Sequence, residues 1–298
     1  YKRQVADTVN MTDGALSWCR WGAPDCEDNE LSDGAMAEHA ADILREKRTD
    51  PFFLAVGFKK PHDPFIAPTN YFKLYPLTNM VLHVDPVDAS PLPPQAIAAN
   101  SPLFEMDDND KREFLRSYAA CSTYVDAQIG KVFDAMDELG LWQNTIVMLW
   151  TDHGYHQGER GWWNKTMLDT YDAKVPFIAY VPEMTPGGVV STGVVELLDI
   201  YPTLAELAGI IPPGNLEGDS FAPLLENPST NWNGVAITHR TGGSTITGSS
   251  VFDGRYRYTE WADGSKQLFD HITDFGEWYN LSGDPAYTNV MHTLSQHL

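Results

Sequence analysis

The chain has 298 residues, enough for one large α/β domain with a smaller one appended, and 43% of them are hydrophobic, so a sizeable core can form and disorder is not the default. Asp and Glu outnumber Lys and Arg by 41 to 20, and the formal charge of -21 repels nucleic-acid phosphates, anionic membranes and, at long range, sulfated polyanions. Neither nucleic acid nor a membrane is therefore expected as a partner, and an anionic substrate needs a locally positive pocket or a metal. No apolar run approaches the roughly 20 residues of a membrane-spanning helix, and Tyr1-Lys2-Arg3-Gln4 opens no signal-peptide core.

Residues 1–31 are polar and irregular, with Cys19 and Cys26 flanking a Gly-Ala-Pro loop that a disulfide can close. Ser32 reads as an N-cap, and Met36, Ala40, Ile43 and Leu44 carry a helical spacing to about Arg48. The continuous apolar run Phe52–Phe58 predicts a strand buried on both faces. Residues 66–108 are proline-rich and predict a long surface loop of the kind that carries recognition. From about Asp110, one stripe of Phe114, Tyr118, Cys121, Val125, Ile129, Val132 and Met136 predicts a helix ended by Gly140. Thr145–Trp150 and Val175–Val181 predict further strands, and Ile200 to Gly209 a helix with a glycine stop. From about Asn227, short β-like stretches between Gly-rich turns predict a small antiparallel sheet. The expected division is therefore 1–225, an α/β domain, and 226–298, a small subdomain.

Alternation of helices and strands argues for a largely parallel central sheet covered on both faces. Ligands in such folds sit beyond the carboxyl ends of strands, and the polar clusters around His62 and Asp152 both fall there. Asp152 and His153 follow a strand directly and can converge on one divalent cation, or simply form a capped turn. His62 lies in a proline-stiffened loop and can serve as a general acid or an anion donor, or be a surface histidine. Lys165 follows Trp162 and Trp163; it is either a surface cation packed on indoles or the positive charge that an anion requires. Asn10, Asn164 and Asn280 each open a glycosylation sequon, and the one at Asn164 goes unused if Lys165 lines a pocket.

Together these motifs are specific. Phe52-Phe-Leu-Ala-Val-Gly-Phe-Lys-Lys-Pro-His62, then Tyr71–Pro76, Arg116–Gly130, Asn144–Gly154 with Gly158-Glu159, Lys165 ten residues before Val175-Pro176, Asp199–Gly209 and Leu268–Leu281 occur in this order. The run resembles formylglycine-dependent sulfatases of the iduronate-2-sulfatase-like branch, in the alkaline phosphatase superfamily. The resemblance implies an alkaline-phosphatase/sulfatase-like sandwich with a small C-terminal antiparallel sheet. It implies Asp152 and His153 as ligands of a divalent cation, calcium first and Mg2+ or Mn2+ as alternatives. It makes Lys165 a sulfate contact and His62 a sulfate contact or the acid for the leaving alcohol oxygen. The implied substrate is a sulfated carbohydrate, and the implied location is periplasmic, secreted or lysosomal.

The sequence departs from the family at one point. No Cys or Ser opens the C/S-x-P-S-R motif that is converted to formylglycine, and the first-strand aspartate pair is absent too. The expectation is a chain lacking the N-terminal part of the fold, with that segment as its partner and inactive without it. Alternatives are a phosphodiesterase or phosphonate monoester hydrolase of the same superfamily, and a non-catalytic member that binds glycans. Specificity is expected from the 66–108 loop and the Thr241–Ser250 stretch, beside which His239 and Arg240 are placed to meet a uronate carboxylate.

Overall fold

A computed structural model describes residues 8–46, 50–97 and 106–298. It falls into two compact units, one of 1–84, 100–144 and 157–163 and the other of 85–99, 145–156 and 164–298. The chain thus passes between these compact units several times.

In the first unit, β1 (Val9–Asn10) runs antiparallel to β2 (Arg20–Gly22), and β2 runs parallel to β3 (Phe65–Ile66). Helix α1 (Ser32–Glu46) buries Ala37, Ala40, Ala41 and Leu44, whose small side chains allow a close approach to the long helix α3 (Asp108–Leu139). Met36, expected on that stripe, is instead 42% exposed, and residues 47–49 lie outside the described part. The short helix α2 (Thr69–Phe72) precedes α3. Asp107 caps α3 by accepting from the backbone N–H groups of Asn109 and Asp110, and the Asp110 carboxylate accepts the Asp107 N–H in return. Gly140 ends the helix at φ 64°, where a side chain would be strained. The inward stripe is Phe114, Ser117, Cys121, Tyr124 and Gln128, which keeps two expected positions and moves by one residue, about 100° round the helix, from Tyr118, Val125 and Ile129. Phe114 sits at the centre of this core, with ring centroids 4.8 Å from Phe65 and 5.2 Å from Trp163.

The run Phe52–Phe58 is the clearest departure here. It forms no ladder among the described residues, and Phe53 is 84% exposed. An apolar run marks a segment fit to be buried on both faces, whereas a strand exists only where a neighbour completes its hydrogen bonds.

In the second unit, β4 (Val147–Trp150) pairs with β5 (Phe177–Tyr180), with Val147 opposite Tyr180 and Trp150 opposite Phe177. The pairing is antiparallel, not parallel as the helix–strand alternation suggested. Residues between the strands form loops and the one-turn helix α4 (Thr170–Ala173) instead of a crossover helix, so the chain returns along β4 in the opposite direction. Helix α5 (Ile200–Leu207) stops at Gly209, φ 66°, as expected. Ile200 packs with Phe221 and with Leu224 of α6 (Ala222–Glu226), against Met148 and Phe177 of the strand pair.

The expected C-terminal antiparallel sheet is present, as β6 (Ala236–Gly242), β7 (Thr245–Phe252), β8 (Tyr256–Trp261) and β9 (Lys266–Asp270) in sequential order. Its core of Val251, Tyr258 and Leu268 is closed by Leu294 of helix α7 (Thr288–Ser295). The stretch 241–250 is not a loop: all but its Gly243-Ser244 turn belongs to β6 and β7. Residues 88–95 of the proline-rich segment are fastened to this unit. Ser90 donates its N–H to the Trp278 carbonyl and accepts from the Asn280 N–H, and Tyr279 donates to Asp88.

Candidate functional site

His62 belongs to the first unit. Its loop is held from below by Asp33, a carboxylate only 3% exposed that accepts the backbone N–H groups of Lys59 at 3.1 Å and Lys60 at 2.8 Å. The Lys60 ammonium closes the other side, donating to the carbonyls of His62 at 2.9 Å and Pro64 at 2.6 Å. Both the Lys60–Pro61 and the Asp63–Pro64 peptide bonds are cis. The imidazole itself is about half exposed, with Nδ1 2.7 Å from the Asp63 carbonyl and 2.9 Å from its carboxylate. That leaves Nε2 pointing away from the Asp63 contacts.

Asp152, His153 and Lys165 belong to the second unit. Asp152 and His153 stand immediately beyond β4, and the Asp152 side chain is 86% exposed. His153 Nδ1 lies 2.8 Å from the Gly154 carbonyl. A carbonyl only accepts, so Nδ1 is the donor there, and in the neutral imidazole that arrangement leaves the Nε2 lone pair for a metal. Asp152 Oδ2 lies 3.6 Å from that Nε2. This is close to the separation of adjacent ligands on a cation whose bonds are about 2.4 Å long. The pair therefore fits a divalent cation as two of its ligands. Among the described residues no group of three or more His, Cys, Asp or Glu side chains completes such a site.

Lys165 is half-buried on the loop before α4, its N–H held by the Asn164 side chain at 2.9 Å. Thr166, next in the chain, has φ 87°, a conformation that a β-branched residue adopts only under constraint. Trp162 and Trp163 are both buried in the first unit, as core and not as a platform at the surface.

Between these two loops lies a polar cluster that motif reading missed. His156, 0% exposed, places Nε2 3.0 Å from both carboxylate oxygens of Asp169 and 3.9 Å from Asp172 Oδ1. Asp169 is the N-cap of α4, accepting from the N–H groups of Tyr171 and Asp172. Burial opposes its charge, but the His156 hydrogen bond and charge, with Arg257 further off, hold its carboxyl below the usual range. For Asp172 the help from His156, the Met167 N–H and Lys165 is not enough. Burial first, and the neighbouring Asp169 charge second, push its carboxyl up to about 7. The available signal was Asp169 before Thr-Tyr-Asp, an N-cap pattern; nothing in the sequence announced that His156 points inward.

His239 and Arg240 are consecutive on β6, so their side chains project to opposite faces of the sheet and do not converge on one carboxylate. His239 is exposed, with Nδ1 2.8 Å from the Ser249 hydroxyl, while Arg240 donates to the Gln95 carbonyl and lies over the Trp261 ring. The sequons at Asn10 and Asn280 are used internally. Asn10 donates its amide to the Leu16 carbonyl, and Asn280 donates to the Lys266 carbonyl, so each nitrogen that a glycan would take is engaged in the fold. The three cysteines are free. Cys19 is buried with its sulfur 4.0 Å from that of Met106, away from the disulfide suggested with Cys26. Burial, followed by the charges of Glu30, Asp28, Asp25 and Glu27, raises the Cys26 thiol and makes it less reactive.

Residues 7–210 match the Sulfatase family model, and residues 158–298 match the model described as N-sulphoglucosamine sulphohydrolase, C-terminal. The chain is 32% identical to a sulfatase of Formosa agariphila, over 92% of this chain and 54% of that protein. It is 33% identical to the iduronate 2-sulfatase of Mus musculus, over 99% of this chain and 68% of that protein. It thus spans about half the length of the first relative and about two thirds of the second. A phosphonate monoester hydrolase from Silicibacter pomeroyi superposes with a TM-score of 0.79 at 22% identity, over 99% of this chain and 64% of that one. A structure in complex with its substrate D-glucosamine-2-N, 6-O-disulfate superposes with a TM-score of 0.77 at 18% identity, over 90% and 68%. At such identities the likeness is one of fold, the sulfatase-like α/β fold with mixed sheets and a small antiparallel sheet at the C-terminal end. Sulfatases generally use a divalent metal and a formylglycine. With a family model matched over residues 7–210 and a mammalian sulfatase aligned over 99% of this chain and 68% of its own length, this chain belongs to the sulfatase family.

Proposed function

We propose that the whole protein is a sulfuric ester hydrolase that removes sulfate from a sulfated sugar, with this chain supplying part of its active site. The observation that carries this reading is the Asp152–His153 pair: two donor atoms 3.6 Å apart, the imidazole fixed with its lone pair outward, in a chain of the sulfatase family. Asp152 and His153 would hold the cation, Ca2+ in the first instance, and the remaining ligands would come from residues outside this sequence. The bound cation would draw negative charge from a sulfate oxygen, and a formylglycine, for which this sequence holds no C/S-x-P-S-R motif, would supply the nucleophile. Lys165 would neutralise a second sulfate oxygen, giving the local attraction that a net charge of -21 denies the surface. His62, in the first unit, would by the family resemblance alone contact the sulfate or protonate the departing alcohol oxygen.

On the substrate side, the exposed His239 is the better placed of the β6 pair to meet a uronate carboxylate, since Arg240 is held by Gln95. The substrate of the solved neighbour, a disulfated glucosamine, and the mouse relative's name support a sulfated carbohydrate. Exposed Phe53 in the first unit, and Trp150 and Ile178 in the second, support a polypeptide partner carrying the rest of the fold. Among the described residues no helix is long and apolar enough to cross a membrane. A periplasmic, secreted or lysosomal location is proposed from the family resemblance alone.

The test is metal-dependent release of sulfate from an aryl sulfate and a panel of sulfated sugars by the whole protein, beside a phosphonate monoester. Sulfate release that disappears on chelation and falls at least about 100-fold in Asp152→Ala is the expected result. Phosphonate hydrolysis without sulfate release would move the assignment to the hydrolase of the Silicibacter type. Silence on every ester with cation bound would make this a non-catalytic binder.

A further inference from the structure

The candidate residues of the second unit sit on two irregular segments, 151–156 and 164–168, and irregular backbone holds a geometry only where something fastens it. One short helix fastens both. The Asp172 main-chain carbonyl accepts the Gly154 N–H at 2.7 Å, immediately after His153. The Asp172 carboxylate accepts the Met167 N–H at 2.5 Å, two residues after Lys165. His156 adds two more ties, its N–H to the Asn164 carbonyl at 2.9 Å and its imidazole to Asp169, the cap of α4.

The geometry points to Asp172 and His156 as positioning residues, a buried clamp that locks the Asp152–His153 loop and the Lys165 loop onto α4 so that both are presented as one rigid piece. Three observations carry this. The contact is too close for any spacer: a Cβ at Gly154 would meet the Tyr171 carbonyl oxygen at 1.9 Å. The Thr166 backbone, at φ 87°, is held in a strained state directly between Lys165 and Met167, and such strain persists only where neighbours over-determine it. Finally, His156 and Asp172 are 0% and 5% exposed, so water does not compete for these bonds. Packing alone would be served better by apolar side chains, since buried ionisable groups are costly; what the polar cluster adds is direction. The clamp stands on geometry, and its catalytic meaning rests on the roles of Asp152, His153 and Lys165 given above.

Residue-resolved amide exchange on the full chain tests it, for the unmodified protein, Asp172→Ala and Asp172→Asn. In the unmodified chain the Gly154 and Met167 amides should both exchange far more slowly than open-loop amides. Asp172→Ala should speed Met167 by about tenfold or more, while Val251 and Tyr258 in the distant sheet core stay unchanged. Asp172→Asn keeps a carbonyl acceptor and should remain within about threefold of the unmodified rate. An unchanged Met167 in Asp172→Ala, or one accelerated together with Val251 and Tyr258 and not rescued by Asn, overturns the clamp. If Asp172→Ala does not fold, the unmodified chain still decides, because open-loop exchange at Met167 overturns it as well. Lys165→Ala separates this from the function: it should leave both amides protected while abolishing sulfate release by the whole protein. Retained hydrolysis in Lys165→Ala would sink the role of Lys165 and leave the clamp standing.

Discussion

The Asp172 carboxyl sits beside the Asp169 carboxylate with His156 and Lys165 as the compensating charges, and its pKa of about 7 states that the compensation is incomplete. In the unfolded chain the same group ionises near pH 4. Below that value both states are protonated and this residue carries no penalty. As pH rises towards 7 the unfolded chain releases the proton first, and stability drains away until the folded carboxyl also ionises. Asp172→Asn, which cannot ionise, should therefore be more stable than the unmodified protein at pH 8, by on the order of 1–3 kcal/mol, with the gain vanishing near pH 4. Denaturant midpoints at the two pH values measure it; an equal shift at both would mean that the charge is not the cause. The site residues divide along the same line. His62, Asp152, His153 and Lys165 were singled out as candidates because motif order and spacing are read from residue type alone. Asp33, His156 and Asp172 were not: the Asp33 and Asp172 carboxylates accept the backbone N–H groups of Lys59 and Met167, the His156 ring meets the Asp169 carboxylate, and no residue pattern encodes those partners.

At the scale of elements, α3 shows how much local chemistry can specify. Its length, its capping box at Asp107 and its glycine stop are all readable from neighbouring residues, since each orphan end group is satisfied within one turn. Asp107→Ala should cost about 1 kcal/mol, and Gly140→Ala a similar amount, by equilibrium unfolding with an unchanged denaturant slope. A Gly140→Ala change without effect would show that the left-handed cap contributes nothing. The strands behave otherwise. Phe52–Phe58 has every compositional mark of a buried strand and pairs with nothing among the described residues, while Thr245–Phe252, with Gly, Ser and Thr in its middle, pairs with β6 along most of its length and with β8 from Gly248 to Phe252. β4 and β5 were found correctly but given the wrong direction. Strand identity and orientation come from the neighbour, not from the strand.

For the molecule as a whole, a charge of -21 must be reconciled with the anionic substrate proposed above. Long-range repulsion slows the approach of a sulfated polysaccharide, and salt screens it within a Debye length of about 8 Å at physiological strength. The association rate constant for a sulfated polysaccharide should therefore rise several-fold as ionic strength goes from about 0.01 to about 0.15 M. A steady fall over that range would show a positive local field outweighing the surface. What the sequence determined by itself was the family, the order of motifs, the helix ends and the identity of the outward-facing candidate residues, because these depend on residue type and short spacing. Only the tertiary structure decided which strands pair and in which direction, that His239 and Arg240 face apart, that the Asn10 and Asn280 amides are engaged, and that α4 ties the Asp152–His153 loop to the Lys165 loop. These depend on which strands exist and which groups they and the loops meet, and a partner's position is not written in the segment that needs it.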